Sequence, residues 1–361
     1  MLTLKANYFA DQLGYDITII LTDGKEKPFF YPLSEKVRVV NLNINFEELW
    51  TCSFVKKIVV YLRKQRLYRK LVRQELMRLR PDITISLLRR EINFISDIQD
   101  GSRKMGELHV NRANYRNFEA GDANFLKNLF ARFWMKSLVR KLKRLDRFVV
   151  LTEEDRQAWP ELTNVTVIPD PLSFVPTRQS PLTSKRVIAV GRYAYQKGFD
   201  LLLQAWSKVE KACPDWQLAV YGMGNRQPYQ QLAAELRLDR NRCHLEDSTQ
   251  DIEQEYCDSS LFVFSSRFEG FGMVLVEAMA CGLPVVSFAC PCGPKDIVAH
   301  GEDGLLVENG NVEQLADALI GLMKDAEARQ RMASKAVANV QRFRMEVLAG
   351  QWKQLFTSIL S

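Results

Sequence analysis

The chain has 361 residues, which suits two domains better than one. Hydrophobic residues make up 47% and charged residues 26%, and no run approaches the roughly 18 apolar residues of a membrane-crossing helix, so the composition is that of an ordinary globular protein. The net charge of +7 is uneven: residues 1–180 carry 31 Lys and Arg against 21 Asp and Glu, so the front half attracts anions and the back half does not.

The opening MLTLKANYFADQLGYD has no basic start, apolar middle or small-residue cleavage site. Cytoplasmic residence is the expectation, with the inner face of the cytoplasmic membrane as the place of any membrane contact. Cys52, Cys213, Cys243, Cys257, Cys281, Cys290 and Cys292 form an odd, scattered set, unlike a disulfide framework. Cys281, Cys290 and Cys292 are close together. They lack both the paired spacing of a zinc site and a neighbouring His, and read as free thiols near a turn, with no metal.

In chain order, Leu2–Leu13 is helix-like. Strands are predicted at Asp16–Leu21, Val37–Leu42, Asp82–Leu87 and Arg147–Leu151, with long helices between. Residues 169–185, rich in Pro, Ser and Thr, read as a linker. Strands then alternate with helices: strands at Arg186–Val190, Gln217–Tyr221, Leu261–Ser265, Pro284–Phe288 and Leu305–Val307, helices at Asp200–Cys213, Pro228–Leu236, Val274–Cys281 and Val312–Lys324. This grammar predicts an α/β protein of two doubly wound domains, 1–168 and 186–344, each with a parallel sheet. A last helix, 345–361, is expected to cross back to the N-terminal domain. Doubly wound sheets run 3-2-1-4-5 and open with a strand and a glycine-rich turn. None precedes Leu2, so the strands at 16–21 and 82–87 are expected to flank a gap, and Met1 is expected to be internal to a longer natural chain.

Three stretches of the second half point to one ligand. Gly191-Arg192 followed by Lys197-Gly198 brings two cations to the carboxyl end of a strand, where a diphosphate would lie. Taken alone, it is also what a solvated basic turn looks like. Glu269-Gly270-Phe271-Gly272, followed by a helix bearing Glu277, sets two carboxylates eight residues apart around a helix N-terminus. Glu277 sits in the apolar run Met273–Ala280, where an unpartnered carboxylate is costly to bury and a ligand hydroxyl would offset the cost. Gly293-Pro294-Lys295-Asp296-Ile297 and Gly301–Val307 add a loop and a turn of supporting weight.

Residues 186–320 resemble the C-terminal domain of retaining glycosyltransferase family 4, the glycosyl transferases of group 1, which have the GT-B fold. The likeness rests on the strand-Gly-Arg-x4-Lys-Gly motif, on Glu-x7-Glu within EGFGMVLVEAMACGLPVV, and on the Gly-Pro-x-x-Ile and Asp-Gly-Leu-Leu-Val signatures. The resemblance implies a retaining, metal-independent transfer of a hexose or N-acetylhexosamine from a nucleotide diphosphate-sugar, by preference a UDP-sugar. The acceptor would be a saccharide or a lipid-linked molecule of surface polysaccharide synthesis. It implies that Arg192 and Lys197 bind the diphosphate and stabilise it as it leaves. It also assigns Glu269 to the transferred sugar, Glu277 to the ribose, and Gly270 and the Phe271 and Gly272 amides to the diphosphate. Gly191, Gly222 and Gly224 would line the nucleotide pocket. The segment Asp100–Lys104 with Glu107-x-His109 is similar to one that presents a histidine to the sugar, which makes His109 a catalytic candidate. No cofactor is implied beyond the donor substrate, and no metal-binding Asp-x-Asp pair stands at a suitable loop. The alternative reading is a catalytically impaired nucleotide-sugar binder, motivated by the absent first strand.

Ser53–Arg80 contains ten Lys and Arg against Glu75, and Phe125–Arg147 eight more against Asp146, with Phe125, Phe130, Phe133 and Trp134 interleaved. Such helices present either solvated basic faces or a surface for anionic lipid. Peripheral membrane contact is the expectation. No nucleic-acid partner is expected, since no recognised binding module accompanies the charge.

Overall fold

The computed structural model describes residues 1–24, 29, 31–51, 53–115 and 125–361, so Cys52 lies outside the described residues. The chain divides into two compact units. The first comprises Met1–Val150, Ala158–Ile168 and Met345–Ser361, the second Leu151–Gln157 and Pro169–Arg344.

In the first unit, β1 (Thr18–Leu21) pairs in parallel with β2 (Arg38–Asn41). A separate parallel sheet holds β3 (Ile83–Ser86), β4 (Arg103–Glu107), β5 (Arg147–Val150) and β6 (Val165–Val167) in that order. No ladder joins β1 to β3 among the described residues, so the two sheets stay apart where the strand order leaves a gap. Successive residues of β5 face opposite ways, as the strand period of two demands. Phe148 and Val150 join Tyr68, Val72 and Leu76 of helix Phe54–Leu79 and Leu138 and Leu142 of helix Phe125–Leu142. Val149 joins Met105, Phe9 of helix Leu2–Asp11, and Trp352 and Phe356 of helix Met345–Leu360.

β4 is invisible to hydropathy because three of its five residues are charged, yet Lys104 and Glu107 are buried. Each charge has a partner close by. Lys104 pairs with Asp100, and its backbone N–H donates to Asp146 at 2.7 Å, while Glu107 pairs with Lys5. Burial alone would raise the Glu107 carboxyl, but Lys5 and His109 outweigh it and hold the group at about 2.

The second unit has a six-stranded parallel sheet of β7 (Arg186–Val190), β8 (Gln217–Tyr221), β9 (Cys243–Glu246), β10 (Leu261–Phe264), β11 (Val285–Phe288) and β12 (Gly304–Val307). Its order is β12-β11-β10-β7-β8-β9. Strands covered on both faces read as continuous apolar runs, which is why β7, β10 and β11 were legible. β9, with the sequence Cys-His-Leu-Glu, is an edge strand and carried no such signal. The chain reverses direction of growth between β7 and β10, so a crevice opens at the carboxyl ends of these strands.

Residues 169–185, expected to be a linker, pack as part of this unit instead. The Leu172 amide donates to the Phe343 carbonyl at 2.8 Å, Ser173 Oγ to Glu277 at 2.6 Å, and the Ser180 amide to the Cys281 carbonyl at 2.8 Å. Their Pro, Ser and Thr residues serve an extended segment bonded to the domain surface, a role that composition cannot tell from a free linker.

Candidate functional site

The carboxyl ends of β7, β8 and β10 and the loop after β11 meet with almost no room between them. A Cβ at Gly222 would lie 1.7 Å from the Gly191 carbonyl oxygen, and one at Gly293 the same distance from that of Phe271. Gly198, in left-handed conformation (φ 62°), would clash at 2.0 Å with the Ser265 carbonyl. The glycines therefore let four loops lie backbone against backbone. The isolated bridge between Tyr193 and Gly224 closes the side next to β8.

Within this frame Lys197 Nζ donates to Glu269 Oε1 at 2.6 Å, with both side chains largely buried, and its charge opposes the rise that burial imposes on the Glu277 carboxyl. Gln196, which the sequence reading passed over, connects the rest. Its amide nitrogen donates to Glu269 Oε2 at 3.2 Å and to the Phe268 carbonyl at 3.0 Å, and its amide oxygen accepts from Arg192 at 3.3 Å. Arg192, otherwise exposed, is thereby tied to the same network. Arg267 makes a bidentate pair with Asp200 at 2.8 and 2.6 Å, fixing the Glu269 loop to the start of helix Phe199–Ala212.

Glu277 projects from the second turn of helix Met273–Ala280. Burial raises its carboxyl pKa, opposed by hydrogen bonds from Ser173 and Tyr256 and by the Lys197 charge. The carboxylate has two protein partners, Ser173 Oγ at 2.6 Å and Tyr256 Oη at 3.3 Å. These orient the carboxylate and leave acceptor capacity on it. Both partners lie far off in sequence, on the segment before β7 and on helix Ile252–Cys257, so no local pattern announced them.

Gly272 (φ 103°) is the N-cap of that helix. The backbone N–H groups of Phe271 and Gly272 donate to no acceptor among the described residues, although both residues are buried. Two unbonded donors on buried residues at a helix N-terminus, at the same sheet end as Lys197, suit an anion. The neighbouring loop is held from behind. The Glu269 amide donates to the Pro291 carbonyl at 3.1 Å, and Glu154 accepts from the Cys292 amide at 2.8 Å and from Lys295 at 2.9 Å. Burial pushes the Cys292 thiol up to about 12 and the Cys290 thiol up as well, so both stay protonated and unreactive at neutral pH.

The structure thus gathers Gly191, Arg192, Lys197, Gly222, Gly224, Glu269, Gly270, Phe271, Gly272 and Glu277 at one end of one sheet. His109 belongs to the first unit, just after β4, with its Nε2 3.3 Å from Glu107 Oε1.

Comparison with known proteins bears on what such a site does. Residues 175–338 match the family model described as glycosyl transferases group 1. An uncharacterized glycosyltransferase of Haemophilus influenzae is 29% identical over 96% of this chain and 92% of its own length. Sucrose-phosphate synthase from Thermosynechococcus elongatus superposes with a TM-score of 0.79 at 18% identity, covering 99% of this chain and 92% of that one. The fold is accordingly that of the GT-B glycosyltransferases. A Staphylococcus aureus TarM variant, solved in complex with fondaparinux, alpha-GlcNAc-glycerol and UDP, has a TM-score of 0.60 at 25% identity. That match covers 71% of this chain and 51% of the TarM chain.

Proposed function

We propose, from the match of residues 175–338 to the glycosyl transferases group 1 model, that the chain moves a hexose or N-acetylhexosamine from a UDP-sugar to a saccharide or lipid-linked acceptor. On this reading the transfer retains anomeric configuration and needs no bound metal. The observation that carries it is the pair of unbonded amides at Phe271 and Gly272, on buried residues at the same sheet end as Lys197, Glu269 and Glu277. UDP in the TarM complex supports the choice of nucleotide.

The donor diphosphate would sit on the helix N-terminus and meet Lys197 and Arg192. As the glycosidic bond breaks, negative charge grows on the departing phosphate, and these fixed donors stabilise it without reorganising. To engage the phosphate, Lys197 must share its protons between Glu269 and the ligand, or turn from one to the other. Glu269, released in part, can then accept from hydroxyls of the transferred sugar. Glu277, already oriented by Ser173 and Tyr256, would accept from the ribose hydroxyls. In a front-face displacement the leaving phosphate oxygen takes the acceptor's proton, so no protein nucleophile is used. A setting in surface polysaccharide synthesis follows from the acceptor class.

A thermal-shift panel of UDP, UDP-glucose, UDP-galactose and UDP-N-acetylglucosamine tests the donor, since a ligand at 100 times its Kd adds about 2.7 kcal/mol of stability. At least one UDP-sugar is expected to stabilise the chain, with EDTA present or absent. No shift with any of them would remove the UDP assignment. A shift without turnover on any acceptor would favour the impaired binder.

A further inference from the structure

Helix Phe54–Leu79 is 26 residues long, about 39 Å at 1.5 Å per residue, and no helix among the described residues is both long and apolar enough to cross a membrane. Val59, Arg63, Arg66, Lys70, Arg73 and Met77 follow one another at spacings of four and three, so they form a single stripe along it. All six are exposed. The opposite face, with Tyr68, Val72 and Leu76, is buried in the unit. Beside the stripe stand Ile58, Leu62 and Leu67, which are 48%, 51% and 44% exposed, while Val59 is 62% exposed.

The cations divide into two sets. Lys64 pairs with Glu48, Arg69 with Asp97 and Arg78 with Glu75. The side chains of Lys56, Lys57, Arg63, Arg66, Lys70 and Arg73 make no ion pair or hydrogen bond among the described residues. Helix Phe125–Leu142 packs in the same hydrophobic cluster, on the same face of the β3–β6 sheet. It adds exposed Arg132, Lys136 and Arg140 around Phe133, which is 73% exposed.

A solvated basic face has no use for bare Val, Leu and Phe side chains among its cations, and a nucleic-acid backbone asks only for the cations. A bilayer surface uses both: acyl boundaries take the apolar side chains, and anionic headgroups meet the charges. We propose that the outer faces of helices Phe54–Leu79 and Phe125–Leu142 are a docking surface for a membrane containing anionic lipid. Val59 and Leu62 enter the headgroup boundary, and the Arg63–Arg73 stripe lies on its surface. The helix lies on the bilayer rather than through it. This surface is independent of the donor site and of the transfer reaction, so either assignment can fail without the other.

The test is flotation of the full chain with vesicles of phosphatidylglycerol and phosphatidylcholine in equal parts, beside vesicles of phosphatidylcholine alone and a heparin column. The chain is expected to float with the anionic vesicles only, and less so as salt rises from about 0.1 M to about 1 M. Replacing Arg63, Arg66 and Lys70 by Gln should weaken vesicle binding about a hundredfold, at about fivefold per cation. The double variant Val59→Ser, Leu62→Ser should lose vesicle binding and keep its retention on heparin. These side chains are exposed, so an unchanged melting temperature certifies the variants. Absence of flotation by the unaltered chain would overturn the proposal. So would vesicle binding that the Val59, Leu62 variant retains in full, since the face would then be a general polyanion surface.

Discussion

Gly222 and Gly191 show how little freedom the site's residues have. Their strands end side by side, and a single methyl at Gly222 would occupy the space of the Gly191 carbonyl. Gly222→Ala must push the two loops apart, at about 1–3 kcal/mol of overpacking cost. We expect a lowered melting temperature in differential scanning fluorimetry and weaker UDP binding by the same variant. Glu277 is the second residue to probe. Glu277→Ala removes a carboxylate that accepts from Ser173 and Tyr256 and is proposed to hold the ribose. At about 1.5–3 kcal/mol for a charge-assisted hydrogen bond, steady-state kinetics should show the donor KM raised about ten- to a hundredfold. A donor KM unchanged in this variant would remove Glu277 from the donor pocket.

Local rules and the family resemblance together singled out the cations, the glutamates and the glycines as candidates: a turn needs glycine, and a strand end facing an anion needs Lys or Arg. What could not be read was who orients them. Gln196 looks like any surface glutamine, and Ser173 like part of a flexible stretch. Their roles arise only when segments 73 residues apart, for Gln196 and Glu269, and 104 apart, for Ser173 and Glu277, are folded together.

At the scale of elements, the segment least legible in sequence, β4, is the one that carries a buried ion pair at its end. Glu107 is held at about 2, against 4.5 for the free carboxyl, so its ionised form stabilises the fold at every pH above the unfolded value. That contribution is lost as pH falls from 4.5 toward about 2. It amounts to on the order of 3 kcal/mol. The wild-type melting temperature should therefore drop through this window more steeply than that of the double variant Lys5→Met, Glu107→Gln. Parallel pH profiles for the two proteins would show that the pair carries no such weight. The two helices packed behind β4 are joined by aromatic contacts: Phe9 lies 6.3 Å from Trp352 and 5.8 Å from Phe356, centroid to centroid. Trp352→Ala should cost about 3–5 kcal/mol in urea unfolding, since Trp352 is almost fully buried. A loss under about 1 kcal/mol would mean that helix Met345–Leu360 contributes little to the unit.

For the molecule as a whole, strand–helix alternation was enough to give two doubly wound units, because parallel sheets covered on both faces leave apolar runs in sequence. The gap between β1–β2 and β3–β6 was expected from the absent opening strand, whereas the packing of residues 169–185 depends on long-range pairing, which leaves no periodic trace. The proposed functions are unevenly distributed across this architecture: the amides, cations and glutamates of the donor site lie in the second unit, and the exposed basic helices in the first. Protein donors, Lys197 foremost, are proposed to neutralise the leaving diphosphate. The most direct measurement is single-turnover transfer from a UDP-sugar by wild type and Lys197→Ala, each with excess EDTA. The account predicts wild-type turnover indifferent to EDTA and a loss of at least about a hundredfold in the variant; wild-type rates in the variant, or wild-type activity abolished by EDTA, would contradict it.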